Sequence, residues 1–156
     1  MAEYTNNAQQ TVNPGEAVVF TLSPVPCTRG FVRWRSGTGN FLLSGWTPRR
    51  NNRCCCKGPD SALYLATFGA NVAVPDGETA GEISLAFSLD GATVPFSIMK
   101  TTPTAVEQFY NVGRSRNIDV WNGCCESLSI RNTSDIPILV DSPTLLFSRP
   151  DLAVTY

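Results

Sequence analysis

A chain of 156 residues with 42% hydrophobic and 16% charged side chains has the length and make-up of one folded domain, outside the disordered class and large enough to bury a core of its own. Its 12 basic and 13 acidic residues leave a formal net charge of -1, so it lacks the overall basic field of a nucleic-acid binder. No histidine occurs, which removes the commonest general base, the Ser-His and Cys-His nucleophile pairs and the commonest metal ligand.

The remaining acids do not pair into a catalytic constellation. Asp90, Asp119, Asp135 and Asp141 each stand beside turn residues or strand ends, where an aspartate bonds nearby backbone. The chain is therefore read as non-enzymatic, with no catalytic residue, cofactor or metal site assigned.

In chain order, Met1-Ala2-Glu3-Tyr4-Thr5-Asn6-Asn7 carries neither a basic start nor an apolar run, so no secretory signal is read there. No stretch approaches the roughly 20 apolar residues of a membrane span. Residues 1–10 are expected as an N-terminal arm, 11–149 as the folded domain and 150–156 as a tail. Apolar residues then alternate or cluster in short runs punctuated by Gly, Pro, Asn and Asp, which is the pattern of strands. Predicted strands cover 17–22, 31–35, 40–43, 63–74, 82–89, 93–100, 105–112, 117–121, 127–132, 136–140 and 144–148. Asp90-Gly91 suits the positive φ angles of a tight hairpin turn. A second hairpin is expected from 128–131 to 136–140 through Asn132-Thr133-Ser134-Asp135, with Pro137 marking an edge or a strand end. The stretch 104–110, after Pro103, competes between a short helix and a strand and is assigned to strand. Many short antiparallel strands without βαβ spacing predict an all-β, double-sheet jelly roll.

The order of segments carries a resemblance. Gln10-Thr11-Val12-Asn13-Pro14-Gly15-Glu16-Ala17-Val18-Val19-Phe20 is similar to the opening of bacterial domains of the complement-globular-head and tumour-necrosis-factor jelly-roll superfamily. Gly37-Thr38-Gly39-Asn40-Phe41-Leu42-Leu43, the long run from Ala62 to Val72, the hairpin around Asp90-Gly91 and the closing runs 126–134 and 144–149 continue it over residues 9–149. The resemblance implies a compact homotrimer of the kind found in heads of collagen-like spore-surface proteins and on phage head fibres and tail tips. The chain departs from that pattern in having no Gly-X-Y stalk and in its cysteine clusters.

Cys27, Cys54, Cys55, Cys56, Cys124 and Cys125 admit three readings: structural disulfides, a thiolate metal cluster or reduced thiols. Disulfides are preferred, because the spacing lacks the Cys-x-x-Cys knuckles of a zinc site. Adjacent cysteines rarely bond to each other, so the bridge is expected between the 54–56 and 124–125 clusters, at one end of the sandwich, with Cys27 as a third party. Trp34 and Trp121 are expected in the core. Trp46, with Arg49, Arg50, Asn51 and Asn52, is a candidate ligand or interface contact, since exposed aromatics and arginines concentrate at binding sites. Arg53 and Lys57 extend the same basic segment, which is expected as a solvated loop.

The function expected is a structural or adhesion protein, most simply a phage decoration, fibre or tail-tip protein. It would be assembled in the cytosol and carried on a virion or other extracellular particle surface. Its partners would be itself, other particle proteins and a host-surface glycan or receptor, with no nucleic acid and no membrane span. The alternative is a carbohydrate- or receptor-binding module of a bacterial spore or cell surface.

Overall fold

The computed structural model describes residues 1–47 and 60–152. Two antiparallel sheets of six strands each face one another. The strands are β1 (Ala2–Thr5), β2 (Gln10–Val12), β3 (Leu22–Val25), β4 (Val32–Trp34), β5 (Phe41–Ser44), β6 (Ser61–Ala73), β7 (Ile83–Leu89), β8 (Ala92–Thr93), β9 (Met99–Thr101), β10 (Tyr110–Trp121), β11 (Cys125–Asn132) and β12 (Ile138–Ser148). The first sheet runs β10-β6-β12-β1-β3, with β2 beside the early half of β12; the second runs β4-β5-β11-β7-β8, with β9 on β7.

Sequence alternation makes these faces. In β6 every second residue, Ala62, Tyr64, Ala66, Phe68, Ala70 and Val72, is buried and the residues between are half-buried. The inward faces meet in an aromatic cluster. Tyr4 lies 4.7 Å from Phe41 and 5.0 Å from Trp34 between ring centroids, and Phe41 lies 5.4 Å from Phe147. These tilted contacts add specific geometry to burial that is worth about 1.5–3 kcal/mol per large apolar side chain. On the edge strand β10, Arg114 reaches across to the Ile98 carbonyl at 3.2 Å, a charged side chain set on a sheet edge, where it opposes strand addition.

The Asp90-Gly91 turn forms as expected, with φ of 48° and 84° at its two central residues. The Asp90 carboxylate accepts from the Ser127 amide at 2.7 Å, so it serves the local backbone. The second expected hairpin does not form. The strand after Asn132 leaves the second sheet and enters the centre of the first, where β12 pairs with β6, β1 and β2. The reason is the side chain of Asn132, which is 1% exposed. Its Nδ2 donates to the carbonyls of Val12 and Ile136, both at 2.9 Å, and its Oδ1 accepts from the Ser134 amide at 2.9 Å. The turn chemistry is therefore spent on a corner between sheets.

Other expectations shift. Residues 2–5, expected within a free arm, form β1, which pairs with both β12 and β3 and buries Ala2 and Tyr4. The run 17–22 is held mainly by two isolated bridges, Ala17 to Arg131 and Phe20 to Thr38, before β3 begins. The run 93–100 is broken by a 3₁₀ turn at Pro95–Ser97, because proline cannot donate to a ladder. The run 105–112 is irregular up to Tyr110, with Glu107 at φ 56° and its amide on the Val74 carbonyl at 2.7 Å. The runs 136–140 and 144–148 fuse into β12 across a bulge at 141–144, where Ser142 has φ 50°.

Candidate functional site

The register places several strand ends together. Ala2 opposes Phe147, Ser148 opposes Leu65, Val32 opposes Leu43, Cys125 opposes Ser44 and Trp121 opposes Ser61. The start of β1, the 26–31 connection, the residues after β5, the 122–124 turn and the residues after β12 therefore gather at one end of the sandwich. Gly45 fits there because its amide donates to the Cys124 carbonyl at 3.0 Å and any Cβ would collide with the Trp121 carbonyl oxygen.

Arg149, the first residue after β12, organises this end. Its side chain is 7% exposed, and Nε and Nη2 hold the two carboxylate oxygens of Asp151 at 2.8 and 2.6 Å. This is the two-pronged arginine-carboxylate geometry that fixes orientation as well as charge. Nη2 also donates to the Trp46 carbonyl at 3.1 Å, and the guanidinium carbon stands 4.8 Å from the ring centroids of both Phe31 and Tyr64. Nη1 is buried, and the Tyr64 hydroxyl is a further hydrogen-bonding neighbour of the guanidinium. Tyr64, fully buried, donates its single proton among the Ser44 and Phe31 carbonyls, 2.6 and 3.0 Å from its oxygen, locking β6 to the second sheet.

The electrostatics follow from burial and pairing. Burial opposes the charges of Arg149 and Asp151, yet their mutual hydrogen bonds and attraction outweigh it, so the guanidinium rises above its ordinary value and the carboxyl falls below 3.8. Backbone donation from Leu63 helps hold Asp151 ionised. Burial raises the Tyr64 phenol, against the pull of Arg149. Burial, helped by Cys27, pushes the Tyr4 phenol up to about 12.

Two hollows meet at this end. A cavity of about 560 Å³ lies among Met1, Cys27, Phe31, Tyr64, Arg149 and Leu152. A shallower cleft of about 620 Å³ opens beside it over Arg29, Gly30, Phe31, Ser44, Trp46 and Leu152. The rings of Phe31 and Trp46 are stacked, 5.7 Å between centroids and 21° between planes, and Trp46 remains 52% exposed.

Of the expected site residues, Trp46 is therefore at the surface on a stacked platform. Arg49, Arg50, Asn51, Asn52, Cys54, Cys55 and Cys56 lie outside the described residues. Cys27 is half-buried, Cys124 and Cys125 are exposed, and these three are not bonded to one another. Thr47 and Asp60, which bracket the segment 48–59, both meet Asn122: its Nδ2 donates to the Thr47 hydroxyl at 3.1 Å and its amide to the Asp60 carbonyl at 2.8 Å. Trp34 is half-buried against Tyr4 and Phe41, but Trp121, expected in the core, is 63% exposed because it ends β10 with its side chain outward. Among the described residues no cluster of three metal-ligating side chains occurs, and no helix is long and apolar enough to cross a membrane. Sequence reasoning missed Phe31, Tyr64, Arg149 and Asp151; only the alternation of β6, which turns Tyr64 inward, hinted at any of them.

No family model matches the sequence, and no curated protein matches it. In structure the chain is similar to the globular domain of zebrafish complement 1qA protein, with a TM-score of 0.64 and 10% identity over 96% of this chain and 95% of that one. It is also similar to the Eiger TNF from S. frugiperda, with a TM-score of 0.61 and 11% identity over 99% of this chain and 93% of that one. The fold is thus the jelly-roll sandwich of the complement-1q and tumour-necrosis-factor type.

Proposed function

We propose that this chain is a non-enzymatic head domain that associates as a homotrimer and serves as a structural or adhesion protein on a particle surface, in the first instance a phage virion. The observation that carries the reading is the outer face of the first sheet. The 13 residues of its central strand β6 contain no charge, and the 11 of its neighbour β12 contain only Asp141. Leu63, Leu65, Thr67, Thr144 and Leu146 stand on that face, half-buried on one chain, with Gly69 opposite Gly113. This central strip, bordered by Glu3 opposite Leu146 and Asp119 opposite Leu63, is poor in charge and suits contact with another copy. Closed cyclic symmetry is the usual outcome when such a chain assembles with itself. A trimer would also present three copies of the aromatic end, which multiplies weak contacts on a host surface.

Light scattering of the purified chain tests the assembly. Three chains per particle are expected, and Leu65→Glu, which sets a carboxylate on the apolar face without entering the core, is expected to yield folded monomers. A wild-type protein that stays monomeric at concentrations well above those of a virion preparation refutes the trimer, and with it the main support for the particle-surface role.

A further inference from the structure

We infer that the end of the sandwich around Trp46 is a binding site for an acidic saccharide, a pyranose ring bearing a carboxylate. The inference deepens the adhesion reading by naming its ligand class, and it does not depend on how many chains assemble. The first ground is the platform. Trp46 is 52% exposed yet stacked on Phe31, and both rings line the cleft. An exposed tryptophan held flat by a partner ring has little conformational freedom to lose, and it offers an apolar plane that fits the C–H face of a sugar.

The second ground is charge. Arg29 lines both hollows and is itself exposed, Arg149 lines the deeper one, and no described carboxylate lines either. Asp151 neutralises Arg149, leaving Arg29 as the cation without a described ion-pair partner at the rim. An apolar plane and a cation at the rim together select a ligand with one apolar ring face and one anionic group.

Titration of the full chain with methyl glucuronide, followed by calorimetry or ligand-observed NMR, tests this. A ligand of that size contacting one open platform is expected to bind with a Kd on the order of 1 mM. Methyl glucoside, which keeps the ring and lacks the carboxylate, should bind at least tenfold more weakly. Trp46→Ala, a surface change whose fold is checked by circular dichroism, should weaken methyl glucuronide at least tenfold, and Arg29→Gln should reduce the preference for the acid while sparing the glucoside. Absence of saturable glucuronide binding, equal binding of the glucoside, or a Trp46→Ala protein that binds as the parent does would each overturn the inference. None of these results bears on the number of chains, which light scattering reads separately.

Discussion

Replacing Arg149 by methionine keeps the length and most of the volume of the side chain while deleting its charge and donors. Three interactions are lost: the paired bonds to Asp151 at 2.8 and 2.6 Å, the bond to the Trp46 carbonyl at 3.1 Å, and two cation-ring contacts at 4.8 Å. Removing one partner of a buried ion pair costs about 3–5 kcal/mol, chiefly because the other charge is left unpaired, and each cation-ring contact adds about 0.5–2 kcal/mol. Asp151 is slightly open to water, with 16% of its side chain exposed, and methionine restores apolar contact with Phe31 and Tyr64, so the lower part of that range is expected, about 3 kcal/mol. Urea unfolding followed by circular dichroism, at one fixed protomer concentration because assembly contributes to stability, measures it. Adding Asp151→Asn should recover about 1–2 kcal/mol of the loss at neutral pH, since the stranded charge is then gone. The sign with pH is fixed by the lowered carboxyl of Asp151. Its contribution is present above pH 3.8, the ordinary aspartate value, and is lost as pH falls through the lower folded value, so the parent should lose this stability in acid and Arg149→Met, which keeps only the backbone donors to Asp151, should lose less. A cost below about 1 kcal/mol, or a double variant no better than the single, refutes the assignment of Arg149 as the fastener of this end.

Other consequences are as direct. Tyr4, raised from 10.0 to about 12, stabilises the fold fully below pH 10 and loses that contribution as pH rises to 12, at about 1.4 kcal/mol per pH unit; Tyr4→Phe should flatten the alkaline branch of guanidinium midpoints measured between pH 9 and 12, and an unchanged branch would discredit the buried phenol as its cause. Asn132→Asp presents an acceptor to the Val12 and Ile136 carbonyls where the amide donated at 2.9 Å, so it should cost about 3 kcal/mol or more at pH 7 and less when protonated near pH 3; a loss below about 1 kcal/mol in chemical unfolding would dismiss the corner mechanism. Non-reducing peptide mapping of protein isolated without reductant should find one of Cys54, Cys55 and Cys56 bridged to Cys124 or Cys125, closing about 70 residues for a chain-entropy gain near 4 kcal/mol; six free thiols would refute it, and stoichiometric zinc would favour the thiolate cluster.

What the sequence revealed divides by the range of the interactions involved. The Asp90-Gly91 turn was legible because its conformation is dictated by the two residues that form it, and β6 because 13 residues of unbroken alternation leave few alternatives. Asn132-Thr133-Ser134-Asp135 was misread because the same residues suit a hairpin and a corner between sheets, and the choice is made by Val12, some 120 positions away. Residues 2–5 were missed because four residues are too short for alternation to stand out, although Ala2 and Tyr4 do carry it. At the site, Trp46 was visible as an aromatic flanked by Gly45 and Thr47-Pro48. Phe31, Tyr64 and Arg149 were not, since one reads as a strand start, one as core and one as the last residue before a tail. Only the register that sets Ser148 beside Leu65 brings them together.

The corner at Asn132 and the aromatic end are therefore parts of one mechanism. Had residues 136–140 folded back on β11, the closing strand would have lain in the second sheet, away from β6 and β1. By crossing, β12 takes the central place between those strands, and its register delivers Arg149 just past the Ser148 to Leu65 pair, next to Tyr64. The second sheet contributes the rest: Phe31 immediately before β4, and Ser44 and Trp46 at and after the end of β5. Arg149 touches both sets, through the Trp46 carbonyl and the two rings, so it works as a rivet between sheets at a place where the backbone ladders have ended. A rivet made from a cation and two aromatic faces holds Phe31 in the orientation that stacks with Trp46. The same arrangement that closes the sandwich thereby fixes the platform on which a ligand would rest, and a change that slackens Arg149 should loosen Trp46 before it unfolds the core.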